Sequence, residues 1–155
     1  MRKLTVAILL AVLMIIMCGC GGLVEVVLPA ELTADISQSQ LDDEVADGIY
    51  EEAFFNDDGS VTFKMTKSQK SEILDDLTGK YKYEVNEIIE DGDNAVSKIA
   101  VKDNFAYFDI YVTEVSAIDY DSKVVKELEK MGRTYNAYSG EPEKEIKIEF
   151  VGPSL

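Results

Sequence analysis

The residue types of this 155-residue chain restrict the chemistry that it could perform. It has no His, the commonest general base and metal ligand, and its two Cys, Cys18 and Cys20, lie near the start. The rest of the chain therefore cannot form a thiolate zinc cluster or an internal disulfide. It also has no G-x-S-x-G, Walker or G-x-G-x-x-G motif. We expect a protein that has no cofactor and is not an enzyme.

Clusters of acidic side chains are the next candidates for chemistry. Residues 57–58 and residues 90–94 could each offer side-chain oxygens to Ca²⁺. Calcium takes about six to eight oxygen ligands, and an EF-hand loop needs a fixed Asp, Gly and Glu spacing that neither cluster has. We interpret both as solvated turns and expect no metal site. A glycosidase needs one carboxyl pair at a set separation, and a chain with 30 acidic residues does not single out such a pair.

Negative charge dominates the chain, which has 30 Asp and Glu against 15 Lys and Arg and a formal net charge of −15. Such a field repels DNA and RNA, so no nucleic-acid partner is expected. Between Cys20 and Phe63 there are eleven acidic residues and no Lys or Arg. Two interpretations of this stretch remain open. It is a docking surface for a basic partner or a cation-rich cell wall, or it only keeps the protein soluble and away from anionic lipid.

Two tyrosines are the candidate contact residues for a partner. Apolar and polar residues alternate over 106–113, which predicts a strand with one buried face. Tyr107 and Tyr111 then lie on the open face of the sheet. Aromatic rings in such positions can stack on sugars or anchor a protein partner. The alternative is that they only cover the neighbouring strands.

An apolar run near the start predicts export from the cytoplasm. Arg2 and Lys3 precede Leu4–Met17, in which Thr5 is the one polar residue, as in a secretory signal peptide. The run is shorter than the roughly 20 residues that span a membrane as a helix, although an uncleaved anchor helix is the alternative. We therefore predict a signal peptide over residues 1–19.

The residues after this run predict a lipid anchor. Cys20 follows the small Gly19, as the acylated Cys of a bacterial lipobox does, whereas Cys18 follows the bulky Met17 and fits less well. Two acyl chains on Cys20 would hold the chain stably at a membrane, because one chain alone gives only marginal binding. Residues 20–22 then form the acylated Cys and a short tether to the outer face of the cell membrane.

The elements that position these residues predict one α+β domain over residues 23–155. We predict a first strand that ends before Pro29, a short helix with Ser39 as its N-cap, two β-hairpins that are each followed by an amphipathic helix, and a last strand. The hairpins cover 49–65 and 98–112, the helices about 66–90 and 117–137, and the last strand 146–150. The hairpin–helix unit thus occurs twice. These patterns favour a two-layer sandwich with a largely antiparallel sheet and both main helices on one face.

Several short stretches together resemble a known group of proteins. They are the lipobox at Cys20, the Val-x-Leu-Pro strand over 26–29, the hairpin Asn-Asp-Asp-Gly-Ser-Val-Thr over 56–62, and Met-Thr-Lys over 65–67 at the start of a helix. The chain resembles small surface lipoproteins of Gram-positive, gut-type bacteria. The resemblance implies a location and a fold, and it transfers no activity and no catalytic or binding residue.

These features favour a lipid-anchored extracellular module that is not an enzyme and that binds another protein or a component of the cell wall. The alternative is a lipoprotein that binds a small ligand or a metal ion as an accessory to transport. The sequence leaves the identity of the partner and the oligomeric state open.

Overall fold

The computed structural model describes residues 22–91, 95–117, 119–120 and 122–152. The predicted signal peptide and Cys20 lie outside these residues. Within them the chain forms six strands and four α-helices, in the order β1 (Val24–Leu28), α1 (Ala30–Thr33), α2 (Gln38–Ala46), β2 (Glu52–Phe55), β3 (Val61–Met65), α3 (Lys67–Glu90), β4 (Val96–Lys102), β5 (Tyr107–Val112), α4 (Lys123–Ser139) and β6 (Lys147–Val151). The α+β class is confirmed, and so is the repeated order of hairpin and helix.

Local side-chain hydrogen bonds set the turn between β2 and β3. The side chain of Asp58 accepts hydrogen bonds from the Ser60 amide at 3.0 Å and from the Ser60 hydroxyl at 2.6 Å. These hydrogen bonds lower the pKa of the Asp58 carboxyl. Gly59 takes a left-handed backbone with φ of 83°, which a residue without a Cβ adopts without strain. Phe55 then pairs with Val61 across the turn.

Helix ends follow from local caps. Thr66 and Gln69 form a capping box at the start of α3, because the side chain of each accepts a hydrogen bond from the backbone amide of the other. Helix α4 begins after Ser122, later than residue 117, and ends at Gly140, whose φ is 97°. The prediction for α2 is wrong by two residues, since Ser37 rather than Ser39 accepts the capping hydrogen bond.

The six strands form two sheets of three strands each, rather than the one sheet that the sequence predicts. The first sheet has the order β1-β3-β2 and is antiparallel throughout. The second has the order β4-β5-β6, in which β4 is antiparallel and β6 parallel to β5. The last strand of each hairpin is thus the central strand of its own sheet. The alternation of residues defines the two faces of a strand but not its neighbours, which is why the sequence pattern misses this division.

Helix α4 joins the cores beneath the two sheets. Its first turns bring the fully buried Leu128 against the second sheet, together with Tyr81 of α3. Its last turn brings Tyr138 into the first core, where Phe63 is 1% exposed. Ion pairs from Lys130 and Arg133 of α4 to Asp35 and Glu31 also hold the segment around α1. One helix therefore contributes to both cores.

Candidate binding face on the second sheet

The predicted contact residues, Tyr107 and Tyr111, lie on the central strand of the second sheet. On the opposite side of β5, Phe108 and Ile110 are fully buried beneath α3 and α4. The two tyrosines therefore point away from the core, as the alternation predicts, and both are half-buried. Tyr111 follows Tyr107 by four positions, and an extended strand of that length places the two residues about 13 Å apart.

The strand register completes this face with residues from β4 and β6. In three rows across the sheet, Lys98, Tyr111 and Val151 are neighbours, then Ala100, Asp109 and Glu149, then Lys102, Tyr107 and Lys147. We call these nine residues the tyrosine face. Sequence reasoning identified two of the nine. Lys98, Lys102 and Lys147 alternate with apolar residues along their own strands, but only the pairing of the strands places them beside the tyrosines.

A β-bulge places Lys98 on the tyrosine face. Val96 pairs with Val112, and Lys98 pairs with Tyr111, so Ser97 is an extra residue in β4. Without the bulge, Lys98 would share the buried side with Val96. The bulge shifts the alternation by one residue, so that Ile99 is buried at 7% exposure and Lys98 is exposed.

An ion pair and hydrogen bonds occupy the centre of the tyrosine face. Lys102 donates to the carboxylate of Asp109, a residue that is only 6% exposed. This hydrogen bond lowers the pKa of Asp109 and raises the pKa of Lys102. The neighbouring carboxylate of Glu149 raises the pKa of the Tyr107 hydroxyl. The central side chains are thus held in place by one another.

Lysine ammonium groups lie over both tyrosine rings. The Nζ of Lys98 is 5.0 Å from the centroid of the Tyr111 ring, and that of Lys102 is 4.8 Å from the Tyr107 ring. Both distances are within the range of cation–π attraction. These contacts favour one arrangement of each ring and its lysine before a partner binds.

The exposed face of the first sheet has the opposite charge. Glu25 and Glu52 flank Lys64 across its three strands, and Lys64 is paired with Glu52 at 2.6 Å. Phe54 lies on the same face at 40% exposure. The three charged side chains on this face of the first sheet have a net charge of −1, whereas the five charged side chains of the tyrosine face have a net charge of +1. Positive local charge therefore distinguishes the tyrosine face in a chain whose formal net charge is −15.

A groove between α3 and α4 is the second candidate site, and the sequence did not indicate it. Its volume is 820 Å³, and Ile88, Val124 and Met131 contribute apolar parts of its lining. Its walls carry charges, with Glu87 and Glu90 on α3 among them. The groove also reaches the buried Tyr81, whose pKa burial raises to about 12. Helical spacing of acidic residues was the one available signal, and it is equally typical of any solvated helix.

We assign no metal-binding role to the acidic clusters at residues 57–58 and 90–94. Asp58 caps its own turn, as described above, while residues 92–94 of the second cluster lie outside the described residues. Among the residues that the structure describes, no group of three or more potential ligands could hold a metal ion. The acidic stretch before Phe63 contributes Glu31 and Asp35 to the ion pairs with α4.

Comparison with known proteins gives no relative. No protein-family model, no curated protein and no solved structure matches the chain. In the described part of the chain, no helix has the length and apolar character needed to cross a membrane.

Proposed function

We propose that this chain is a lipid-anchored module on the outer face of the cell membrane that binds a protein or a wall component through the tyrosine face, and that it is not an enzyme. The observation that carries the proposal is the ordered array of Tyr107, Tyr111 and the lysines on an open sheet surface. Aromatic and cationic side chains that are fixed before binding lose little conformational freedom when a partner docks.

The anchor is inferred from the sequence. Strand β1 begins at Val24, and four residues of extended chain from Cys20 reach at most about 14 Å. A diacylated Cys20 would therefore keep the folded domain close to the lipid surface. A partner would be a molecule of the membrane surface or of the layer directly outside it.

A binding role accounts better than catalysis for the carboxylates of the tyrosine face. Asp109 is paired with Lys102, and Glu149 is exposed beside it on the open face of the sheet. A hydrolase that works with carboxylates needs them to converge around a bound substrate, with one held protonated. The pKa of Asp109 is lowered here rather than raised, which keeps the carboxyl ionised.

Photo-crosslinking in cells tests this proposal. A benzophenone amino acid replaces Lys98 or Lys147 in the full chain, and captured molecules are identified by mass spectrometry. Lys82 of α3 and Lys126 of α4 are matched control positions, because all four lysines are exposed. We expect a specific product from the two positions on the tyrosine face and none from the controls. Equal products from all four positions, or none from any, would contradict the proposal.

The groove between α3 and α4 favours a second candidate function, the binding of a small ligand as an accessory to transport. Concave sites of this volume are the usual form of small-molecule sites. The melting temperature of the full chain, measured with and without Ca²⁺ or spermidine as cationic probes, tests it. A saturable rise that Glu87→Gln abolishes would support this function, and an unchanged melting temperature would count against it.

A further inference from the structure

We infer that the partner of the tyrosine face is an extended anionic polysaccharide, an inference that rests on the proposed binding role of this face. Three features of the face carry it. They are its open shape with two rings on one strand, the two lysines that have no ion pair, and the carboxylates that lie between the rings.

The shape of the face favours a polymer over a small molecule. Tyr107 and Tyr111 lie on one strand at a separation of about 13 Å, which a small ligand would not bridge. Small-molecule sites are concave, whereas these rings lie on the open surface of a sheet. A chain of sugar rings that follows β5 could place one sugar against each tyrosine, where its C–H face would replace the lysine ammonium group that lies over the ring.

The charges of the face favour an anionic polymer. Lys98 and Lys147 occupy opposite corners of the array, and neither has a carboxylate within ion-pair distance among the described residues. Lys64 on the other sheet, by contrast, is already paired with Glu52. At physiological ionic strength, exposed charges beyond about 8 Å are largely screened. The lysines of the tyrosine face therefore attract an anionic polymer locally, despite the negative net charge of the whole chain.

The carboxylates of the face favour sugar over acidic peptide. Asp109 and Glu149 lie in the row between the two rings, and Asp109 accepts from Lys102. A carboxylate has about four acceptor positions, and that of the exposed Glu149 has some left for further donors. Sugar hydroxyls supply such donors. The side-chain carboxylates of an acidic peptide have no hydrogen to donate at this point of the face.

The test uses the full chain in detergent micelles and affinity electrophoresis with three polymers. Polygalacturonate is the anionic polysaccharide, dextran the neutral one, and poly-L-glutamate the acidic peptide. We expect retardation by polygalacturonate, about tenfold weaker in the double variant Lys98→Gln/Lys147→Gln. The matched control Lys82→Gln/Lys126→Gln has the same loss of charge and should bind as the unaltered chain does.

A second pair of variants tests the stacking. Tyr111→Phe keeps the ring and removes the hydroxyl, so it should bind polygalacturonate almost as well as the unaltered chain. Tyr111→Ala removes the ring and should bind about tenfold more weakly, with the melting temperature recorded to show that the fold persists. Equal losses in the two variants would overturn the stacking and with it the inference.

The remaining outcomes separate this inference from the proposed function. If poly-L-glutamate bound as strongly as polygalacturonate, the inference that the partner is a polysaccharide would be wrong. If dextran bound as strongly as polygalacturonate, the inference that the partner must be anionic would be wrong. If none of the three polymers bound, and the crosslinker at position 98 or 147 captured a protein in cells, this inference would be overturned and the proposed function would stand. If none of the polymers bound and the crosslinkers captured nothing in cells, both this inference and the proposed function would be overturned.

Discussion

Lys102 and Asp109 form an ion pair on the open face of the second sheet, reaching diagonally between β4 and β5. The side chain of Asp109 is only 8% exposed, whereas that of Lys102 is 51% exposed. The lysine thus covers the carboxylate and the adjacent Tyr107 ring at once. This pair holds the centre of the tyrosine face, and its titration should be visible in the stability of the fold.

The first prediction concerns the pH dependence of that ion pair. The pKa of Asp109 is lower in the folded chain, so its contribution is present above the unfolded pKa of about 3.9 and is lost as pH falls through the folded pKa. The pKa of Lys102 is raised, so its contribution is complete below about pH 10.4 and is lost as pH rises through the folded pKa. Asp109→Asn should lower the melting temperature at pH 7 by a few degrees.

Melting curves between pH 2 and pH 7, in steps of about one unit across the Asp range, measure this effect. The variant should lose less stability than the unaltered chain as the solution becomes acidic. Lys102→Met should change the melting temperature less in the Asp109→Asn background than on its own. Parallel pH profiles for the two chains would contradict a role for this pair in stability.

The second prediction concerns two glycines in helices, which should respond to alanine with opposite signs. A Cβ on Gly132 of α4 would lie 2.5 Å from the backbone oxygen of Phe105, and Phe105 itself has a left-handed φ of 66°. Gly132→Ala should therefore destabilise the fold by about 1–3 kcal/mol. Gly79 of α3 has no neighbouring atom within 4 Å of an added Cβ, so Gly79→Ala should stabilise by about 1 kcal/mol.

Urea denaturation of both glycine variants checks the prediction. The comparison is sharp because the substitution is identical and both sites lie inside helices. If Gly132→Ala proved as stable as the unaltered chain, the close approach of α4 to the turn at Phe105 would be wrong.

The third prediction concerns the buried hydroxyl pair of Tyr50 and Tyr138, whose oxygens are 2.9 Å apart in the first core. Tyr138→Phe leaves the Tyr50 hydroxyl without this partner and should cost about 1 kcal/mol. Removing both hydroxyls in Tyr50→Phe/Tyr138→Phe should cost less than the two single changes added together. The exposed Tyr83→Phe is the control and should be close to neutral. Additive losses in the double variant would show that the two hydroxyls do not interact.

The fourth prediction concerns the anchor. Cys20→Ala should abolish labelling by a radioactive fatty acid, because the acylated residue is lost. Cys18→Ala is the matched control and should keep the label. Loss of the label in Cys18→Ala with its retention in Cys20→Ala would move the lipid to the other cysteine.

Features set by neighbouring residues could be predicted from the sequence. The turn at Gly59, the capping box of Thr66 and Gln69, and the outward direction of Tyr107 and Tyr111 each depend on a few adjacent positions. The two faces of β5 follow from alternation alone.

Features that depend on distant parts of the chain could not be predicted. The division into two sheets and the parallel pairing of β6 require contacts between residues far apart in sequence. The bulge at Ser97 turns Lys98 to the exposed face of the sheet, and no residue type in this stretch indicates a bulge. Most of the charged side chains of the tyrosine face were missed for this reason.

Lysine acylation by a soluble reagent tests most directly whether the tyrosine face is occupied in the cell. The unaltered chain is labelled once on intact cells and once after purification in detergent, and mass spectrometry compares Lys98 and Lys147 with Lys82 and Lys126. Occupied lysines react more slowly, so the account predicts that labelling of Lys98 and Lys147 falls several-fold on cells, while the two control lysines keep their ratio. An equal ratio at all four lysines would contradict binding through the tyrosine face.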